Sequence, residues 1–336
     1  MTALRRLDGS AADRAVIAEA ARRLKAGELV VVPTETVYGL GADAANADAV
    51  SAVYRIKQRP PGHPLIVHVR GEGDARYWAQ WSKRAQRLSE AFWPGPLTLI
   101  LPRAPGAPAH ACGVETTIGL RAPAHPVAQA LLTEFAALGG HGIAAPSANR
   151  FGRISPTRAE HVLEDLGADA PLILDAGPCE IGVESTILDL SRARPVLLRP
   201  GAISIAQLSA ALGEEVLDRD EYAPRAPGTL AAHYAPATAM ELVEPDELAA
   251  RLSDLHAQGL RVALWSRSLS GAAASAAEVS AAMPSNARAV ARELYDTLRR
   301  LDRAGCDRIV VENLPGTPEW WAVRDRLRKA AAAFGK

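Results

Sequence analysis

The 336-residue chain is longer than most single hydrophobic cores, so its length predicts two domains. A hydrophobic content of 48% is ample for a buried core and excludes general disorder. With 38 basic and 38 acidic side chains the formal net charge is zero, which disfavours a protein that binds nucleic acid mainly through phosphates.

The first 212 residues alternate between helical and strand patterns. Helices are predicted over 13–25, after an N-cap at Asn46, over 82–92, from Pro126, after a cap at Ser155 or Thr157, and over 205–212. Strands are predicted over 29–32, 65–69, 97–101, up to Arg121, and over 142–145, 172–175, 185–190 and 196–199. Because strands follow one another directly near 172–199, the pattern predicts an α/β domain with a twisted, mixed, open sheet and flanking helices.

The character of the chain changes after this domain. Residues 213–237 combine clustered charges with Pro- and Gly-rich segments, which predicts an interdomain linker. Residues 238–336 again alternate strand and helix patterns and predict a smaller, Rossmann-like α/β domain. This domain has no Gly-x-Gly-x-x-Gly turn, so the sequence assigns it no dinucleotide.

Cysteine usage and hydropathy predict the compartment. Cys112, Cys179 and Cys306 are far apart and form no Cys-x-x-Cys motif, which favours reduced thiols over disulfides or a zinc site. Met1–Ser10 has no apolar core, so no signal peptide is expected, and no apolar run approaches the ~20 residues needed to span a bilayer. We therefore expect a soluble, cytoplasmic protein without membrane attachment.

The stretch 29–43 has the pattern of a ligand-binding strand end. A short apolar strand stops at Pro33, and Thr34, Glu35 and Thr36 follow before a Gly-rich turn around Tyr38. Open α/β sheets place their ligands at such strand exits, although an ordinary strand-to-loop connection has the same pattern.

Lys57 and Arg59 are candidates for binding a polyanion. They lie two positions apart before a proline-stiffened loop, and in extended backbone such positions project to one side. A planar guanidinium and a compact ammonium together suit a triphosphate. The alternative is a solvated helix end, where the helix dipole favours cations.

Polar or cationic side chains also follow Gly/Pro turns at other strand ends. An arginine such as Arg121 at a strand end suits bidentate capture of a carboxylate, or else a surface salt bridge, while His68 is compatible with a hydrogen-bonded histidine of a sheet face. The other members of this set are Ser147, Asn149, Ser185 and Arg199. If one edge of the sheet gathers them, they form a pocket for an anionic ligand with carboxylate and hydroxyl partners.

The sequence contains no Ser-His-Asp order, no His-Glu-x-x-His and no Gly-x-x-x-x-Gly-Lys-Ser/Thr motif. Neither a covalent nucleophile nor a metal site built by the protein is therefore predicted.

Six motifs in order closely resemble the YrdC-type L-threonylcarbamoyladenylate synthases over residues 24–201. They are Pro33-Thr34-Glu35-Thr36-Val37-Tyr38-Gly39-Leu40, Lys57-x-Arg59-Pro60, Pro64-Leu65-Ile66-Val67-His68, Trp93-Pro94-Gly95-Pro96-Leu97-Thr98, Pro146-Ser147-Ala148-Asn149 and Glu184-Ser185-Thr186-Ile187. The linker motif His233-Tyr234-Ala235-Pro236 and the Rossmann-like tail resemble the longer, two-domain branch of that family.

The resemblance implies an enzyme that combines L-threonine, bicarbonate or CO₂, and ATP into threonylcarbamoyl-AMP and pyrophosphate, for N6-threonylcarbamoyladenosine in tRNA. It implies ATP or adenylate contacts by Lys57, Arg59, Thr117, Ser147, Asn149 and Arg199, with His63 and Thr157 as further nucleotide contacts. Threonine contacts are implied for Thr34, His68, Arg121 and Ser185, and Tyr234 is similar to a tyrosine that closes over the nucleotide.

In this hypothesis a carbamate of threonine attacks the α-phosphorus of ATP, while Lys57, Arg59 and bound Mg²⁺ stabilise the leaving pyrophosphate. Because carbamates decompose in water, residues 225–236 are expected to act as a lid. The expected downstream partners are transferases acting on tRNA, with at most weak direct tRNA contact. The alternatives are a carbamoyltransferase of the kind that matures hydrogenases, and a non-catalytic RNA-binding module.

Overall fold

The structure is a computed structural model that describes residues 4–8, 11–220, 222–269 and 277–335, without the side chains of 11 and 12. The chain divides into two compact units. The first unit contains the residues up to Phe151 together with Pro156–Thr229, and the second contains Gly152–Ser155 and the residues from Leu230 onward.

The described part of the first unit contains a mixed sheet and seven α-helices. The strands are β1 (Leu4–Arg6), β2 (Val30–Val32), β3 (Gly39–Asp43), β4 (Ile66–His68), β5 (Leu97–Pro102), β6 (Thr117–Arg121), β7 (Ile143–Ala144), β8 (Leu172–Asp175), β9 (Thr186–Asp189), β10 (Val196–Arg199) and β11 (Leu217–Asp218). The helices are α1 (Ala11–Lys25), α2 (Ala47–Lys57), α3 (Glu72–Trp78), α4 (Lys83–Phe92), α5 (Pro126–Ala137), α6 (Ala159–Leu166) and α7 (Ile205–Leu212). The strand order is β1-β8-β2-β3-β7-β4-β6-β5-β9-β10-β11.

Both faces of this sheet are covered by helices. In β2, Val30 and Val32 pack with α1 and α5, whereas Val31 packs into a second cluster that includes residues of α2, α4 and α7. Burial on both faces explains why the strand reads as a continuous run of valines, each of which contributes roughly 1.5–3 kcal/mol when fully buried.

Helix termini in this unit follow local capping rules. The Asn46 side chain accepts hydrogen bonds from the backbone N–H groups of Asp48 and Ala49 at the start of α2. Ser204 and Gln207 form a capping box at the start of α7. These short-range signals explain why both helix starts were predicted correctly.

Two sequence-based expectations for this unit are wrong. The Gly-rich stretch predicted as a turn is strand β3, where a Cβ on Gly41 would lie 2.9 Å from the Val30 carbonyl oxygen of the neighbouring strand. A helix was also expected to start at Ser155 or Thr157, but α6 begins at Ala159. Pro156 O instead accepts a hydrogen bond from Tyr38 N, and Thr157 N donates to His161 Nδ1.

The second unit is a four-stranded parallel sheet with helices in its described part. Its strands are β12 (Met240–Val243), β13 (Val262–Ser266), β14 (Val279–Ala282) and β15 (Arg308–Glu312), in the order β12-β15-β13-β14. Its helices are α8 (Leu248–Ala257), α9 (Ala287–Asp302) and α10 (Trp321–Ala331). A mixed sheet followed by a smaller Rossmann-like domain is therefore confirmed, although β1, α3, β11 and β14 were not predicted. None of the helices in the described ranges is long and apolar enough to cross a membrane.

Candidate active site

The turn after β2 is held by the side chain of Thr34. Its hydroxyl oxygen accepts hydrogen bonds from the backbone N–H groups of Thr36 and Val37, each at 3.2 Å, and donates to Val37 O at 2.6 Å. Threonine commonly organises turns in this way. Here the turn orients the side chains of Glu35 and Thr36, both of which are buried.

Arg121, at the end of β6, contacts this turn. Its Nη1 donates to Thr36 Oγ1 at 2.7 Å and its Nε donates to Gly95 O at 3.2 Å. Its Nη2 lies 2.6 Å from Glu35 Oε1, and both side chains are buried. Burial alone would raise the pKa of the Glu35 carboxyl, but the charge of Arg121 outweighs this and holds the pKa below its usual value.

His68 lies beside Arg121, because β4 and β6 are parallel and place these two residues in register. Burial and the charge of Arg121 lower the pKa of His68 to about 3. The imidazole is therefore neutral at physiological pH, with one nitrogen able to donate and the other able to accept a hydrogen bond.

A small cavity of about 10 Å³ opens beside His68, between the sheet and α5, and is close to the space that a water molecule needs. Its walls are mainly apolar. They are formed by Val32, Thr34, His68, Pro123, Ala128, Leu132, Ile143 and Ala145.

Ser185 and Arg199 form a second polar contact on the same edge of the sheet. Arg199 Nη2 donates to Ser185 Oγ at 3.1 Å and Arg199 Nε donates to Ser185 O at 3.0 Å. The Ser185 hydroxyl also lies 2.7 Å from Thr98 Oγ1. Arg199 Nη1 donates to Pro227 O, so a residue of the predicted linker contacts this group within the first unit.

Strand register explains why these residues meet. The carboxyl ends of β4, β6 and β10 and the amino ends of β5 and β9 all lie at one edge of the sheet. The edge therefore gathers His68, Arg121, Ser185 and Arg199, and the Thr34 turn reaches the group through Arg121.

A separate group of nucleotide candidates surrounds the end of α2. Lys57 is 2% exposed, and its Nζ donates to Ser147 O and Asn149 O, each at 2.5 Å. Burial, and then the charge of Arg59, hold the pKa of Lys57 well below its usual value. Lys57 thus holds the Ser147–Asn149 turn in place through these two hydrogen bonds.

Arg59 and His63 both contact Phe151. The Arg59 guanidinium lies 5.5 Å from the centre of the Phe151 ring and donates to Pro64 O at 2.9 Å. The His63 ring meets Phe151 edge-on at 5.4 Å, and burial together with the charges of Arg59 and Arg225 lowers the pKa of His63. Thr117 is the first residue of β6, and Arg121 is the last. Because β6 is parallel to β4, Thr117 lies at the edge of the sheet where β4 begins.

The segment 33–39 joins the two groups. At its start, Thr36 and Glu35 contact Arg121, and at its end Gly39 pairs with Ser147 in an antiparallel bridge. We call residues 33–39, with their contacts to Arg121 and Ser147, the polar strip. It connects the group around Lys57 and Arg59 to the carboxylate-binding candidates, as an elongated ligand would require.

Two predicted residues belong to neither group. Thr157 packs against His161, with its carbonyl accepting from Cys179 N. Tyr234 belongs to the second unit and has a left-handed φ of 65°. Its ring lies 5.9 Å from that of Tyr295, with the Arg326 guanidinium 5.4 Å from its centre.

Sequence reasoning missed Glu35, Thr36 and Thr98 as members of the site. Glu35 and Thr36 had a signal in the polar strand exit after Pro33, and Thr98 only in a quoted motif, but burial of a glutamate cannot be read from its neighbours in the chain. Among the described residues, no group of three or more His, Cys, Asp or Glu side chains has the geometry to hold a metal ion.

A mixed α/β sheet with buried cations and hydroxyls at its strand ends defines a protein that binds a small anionic substrate. Comparison with known proteins narrows this class. The family model described as "Telomere recombination" (Sua5, YciO and YrdC) matches residues 22–201, and the model described as "Threonylcarbamoyl-AMP synthase, C-terminal domain" matches residues 203–332.

Relatives match along nearly the whole chain. A threonylcarbamoyl-AMP synthase of Bacillus subtilis is 41% identical over 94% of this chain and 92% of its own length, and one of Pyrococcus abyssi is 37% identical over 93% of each. The solved structure of P. abyssi Sua5 complexed with L-threonine has a TM-score of 0.89 at 33% identity, covering 99% of this chain and 98% of its own. The chain belongs to the threonylcarbamoyl-AMP synthase family, so the resemblance seen in its six motifs is confirmed.

Proposed function

We propose that the protein forms threonylcarbamoyl-AMP and pyrophosphate from L-threonine, bicarbonate or CO₂, and ATP. It is an enzyme of the nucleotidyltransferase type. The observation that carries this function is the polar strip, because it joins a carboxylate-binding arginine to a group of buried cations within one unit. Matches of both family models along the chain favour this reaction over the carbamoyltransferase and RNA-binding alternatives.

Threonine binds, in this proposal, at the Arg121 end of the strip. Arg121 receives the substrate carboxylate, and neutral His68 pairs with the β-hydroxyl, while Ser185 donates or accepts a further hydrogen bond. The apolar cavity beside His68 takes the substrate methyl group. Since the Thr34 hydroxyl already holds its own turn, Thr34 contributes mainly as part of the cavity wall.

ATP binds at the other end, against Lys57, Arg59, Ser147 and Asn149. Arg199 then lies where threonine and nucleotide meet, since it already bonds to Ser185. His63, Thr117 and Thr157 are proposed as additional nucleotide contacts, while the nucleotide contact implied for Tyr234 stays a prediction. Mg²⁺, if it accompanies ATP, would supply further stabilisation of negative charge on the phosphates beside Lys57 and Arg59.

The reaction needs no nucleophile from the protein. Threonine in its neutral amine form bonds through nitrogen to the carbon of CO₂, the π electrons of one C=O bond move to oxygen, and the nitrogen releases a proton to solvent, which gives a carbamate. A carbamate oxygen then attacks the α-phosphorus of ATP. The bond from that phosphorus to the bridging oxygen breaks, and pyrophosphate leaves with its electrons. Placement of the two substrates and stabilisation of charge on the leaving group by Lys57 and Arg59 supply the catalysis.

The test is to incubate purified protein with ATP, Mg²⁺, bicarbonate and L-threonine and to measure pyrophosphate. We expect release that depends on threonine, stops with EDTA, and persists in a Glu312→Gln variant of the second unit. Absence of threonine-dependent release would refute the function.

We further propose a cytoplasmic location and transfer of the product to tRNA by separate transferases. The lid role of residues 225–236 stays a prediction, for which truncation after Gly213 should lower turnover and full activity would contradict it.

A further inference from the structure

Three polar atoms of the Arg121–Glu35 pair lack a well-formed hydrogen bond. Within the part of the chain that the structure describes, no group donates to Glu35 Oε1 or Oε2 in well-aligned geometry, and Arg121 Nη2 has no well-aligned acceptor. The Arg121 guanidinium and the backbone N–H groups of Glu35 and Ala124 are nevertheless near enough to lower the pKa of the Glu35 carboxyl. The two charges lie 2.6 Å apart, but the N–H bonds of Nη2 do not point at the carboxylate oxygen. Glu35 is 5% exposed and Arg121 is 4% exposed, so water has little access to either group.

Unsatisfied buried charges of this kind are expensive. A buried polar atom without a hydrogen bond is destabilising, and the cost is larger when the atom is charged. Neighbouring groups could have supplied the missing bonds, as the Thr36 hydroxyl does for Arg121 Nη1 and the Gly95 carbonyl does for Nε. The pair therefore keeps hydrogen-bonding capacity that a ligand could use.

Charge balance limits what this partner can be. A carboxylate that bound Arg121 alone would draw the arginine away from Glu35 and leave a second buried negative charge without a cation. An α-amino acid avoids this problem, because its ammonium and carboxylate are attached to the same carbon atom. The Glu35 carboxylate then faces the ammonium of the ligand, and the Arg121 guanidinium faces its carboxylate.

We propose that Glu35 binds the α-ammonium of L-threonine while Arg121 binds its carboxylate, so that the pair recognises the amino acid as a zwitterion. This inference rests on the proposed function and deepens it, since neither the motifs nor the sheet-edge pattern assigned Glu35 a role. It makes Glu35 a specificity-determining residue that rejects hydroxy acids of the same shape. It also holds the threonine nitrogen at a defined place beside Arg121, where the ammonium releases a proton to solvent before the neutral amine bonds to CO₂.

The experiment measures binding by calorimetry for L-threonine, for (R)-3-hydroxybutyrate, which lacks the amine, and for L-threonine amide, which lacks the carboxylate. In the wild-type protein we expect L-threonine to bind about 10- to 100-fold more tightly than (R)-3-hydroxybutyrate, as a charge-assisted hydrogen bond predicts. In Glu35→Gln this ratio should fall to about 1–3, while the preference for L-threonine over the amide persists. Glu35→Asp, which keeps the charge, should retain part of the ratio.

Three outcomes overturn the inference. One is a wild-type ratio near one, which decides the matter even if Glu35→Gln does not fold. The second is an unchanged ratio in Glu35→Gln. The third is tighter threonine binding by that variant, which would make Glu35 a competitor of the substrate carboxylate. Unchanged ATP binding shows that a variant is folded, and Glu312→Gln serves as the matched control. A wild-type protein that does not bind L-threonine at all would instead refute the proposed function.

Discussion

The two units each contain a buried glutamate close to an arginine, and the two glutamates have different surroundings. In the second unit, Glu312 ends β15, and its Oε2 accepts hydrogen bonds from Ser266 Oγ, Arg267 N, Ser268 N and Ser268 Oγ at 2.7–2.9 Å. In the first unit, Glu35 follows β2 and has Arg121 as its close ionic partner.

The Glu312 carboxylate has a structural role, whereas the Glu35 carboxylate is a candidate for binding a ligand. Burial would raise the pKa of Glu312, but the Ser266 hydroxyl and the backbone of Arg267 and Ser268 lower it below its usual value. Those hydrogen bonds hold the loop after β13, so the Glu312 carboxylate serves the structure of its own unit. Glu35 owes its lowered pKa mainly to one cation, and its oxygens keep their capacity for hydrogen bonds. The same residue type thus serves loop structure in one unit and, as we propose, substrate recognition in the other.

The largest effect is expected from removing the cation in the first unit. Arg121→Ala should weaken L-threonine binding by about 100-fold or more and lower the free energy of unfolding by about 3–5 kcal/mol, because Glu35 then stays buried without its partner. Calorimetry and chemical unfolding measure the two quantities. ATP affinity is the control, and an equal loss for ATP and threonine would remove Arg121 from the threonine site. A double variant, Glu35→Gln with Arg121→Gln, should recover part of the lost stability.

The neutral state of His68 predicts a pH dependence confined to the first site. Its folded-state pKa of about 3 lies below the unfolded value of about 6.5, so the unfolded chain binds an extra proton as pH falls below 6.5. His68 should therefore remove stability progressively from pH 6.5 towards 3, by about 1.4 kcal/mol per pH unit. Above pH 7.5 the stability difference between wild type and His68→Gln should be constant. Equal slopes for the two proteins between pH 6.5 and 4.5 would contradict a neutral buried imidazole.

Removing the carboxylate charge in the second unit should affect stability without affecting chemistry. Glu312→Gln keeps the shape of the side chain but weakens several charge-assisted hydrogen bonds, which should lower the free energy of unfolding by about 2 kcal/mol. Threonine affinity and pyrophosphate release should stay at the wild-type level. A selective loss of threonine affinity would show that the two glutamates do not differ in the way described.

The smallest effect is expected from removing the cation in the second unit. Arg267 Nη2 lies 3.3 Å from Glu312 Oε1, and the arginine side chain is partly exposed. Since Glu312 keeps its bonds from Ser266 and Ser268, Arg267→Ala should cost about 0–1 kcal/mol. Chemical unfolding of this variant and of Arg121→Ala compares the two losses in the free energy of unfolding directly. Equal losses would contradict the difference between the two glutamates.

Much of the fold was readable in the sequence. Val30–Val32 reads as a buried strand because valines cover both faces of the sheet, and Asn46 marks the start of α2 because its side chain caps the next turn. Gly39–Asp43 was misread, since its glycines meet the neighbouring strand at close range and do not form a turn. Thr157 was misread because a long-range contact between segments kept the helix from starting there.

The sequence by itself determined the class of the protein, the order of its elements and the residue types at each strand end, because periodicity, caps and motifs are local properties of the chain. It also determined that Arg121 and Lys57 were candidates. Only the tertiary structure decided that Arg121 contacts Thr36, 85 positions away, and lies against Glu35, while Lys57 bonds to the Ser147–Asn149 turn. The physical reason is that strand order and register bring distant segments together, and burial then determines which charges must be paired.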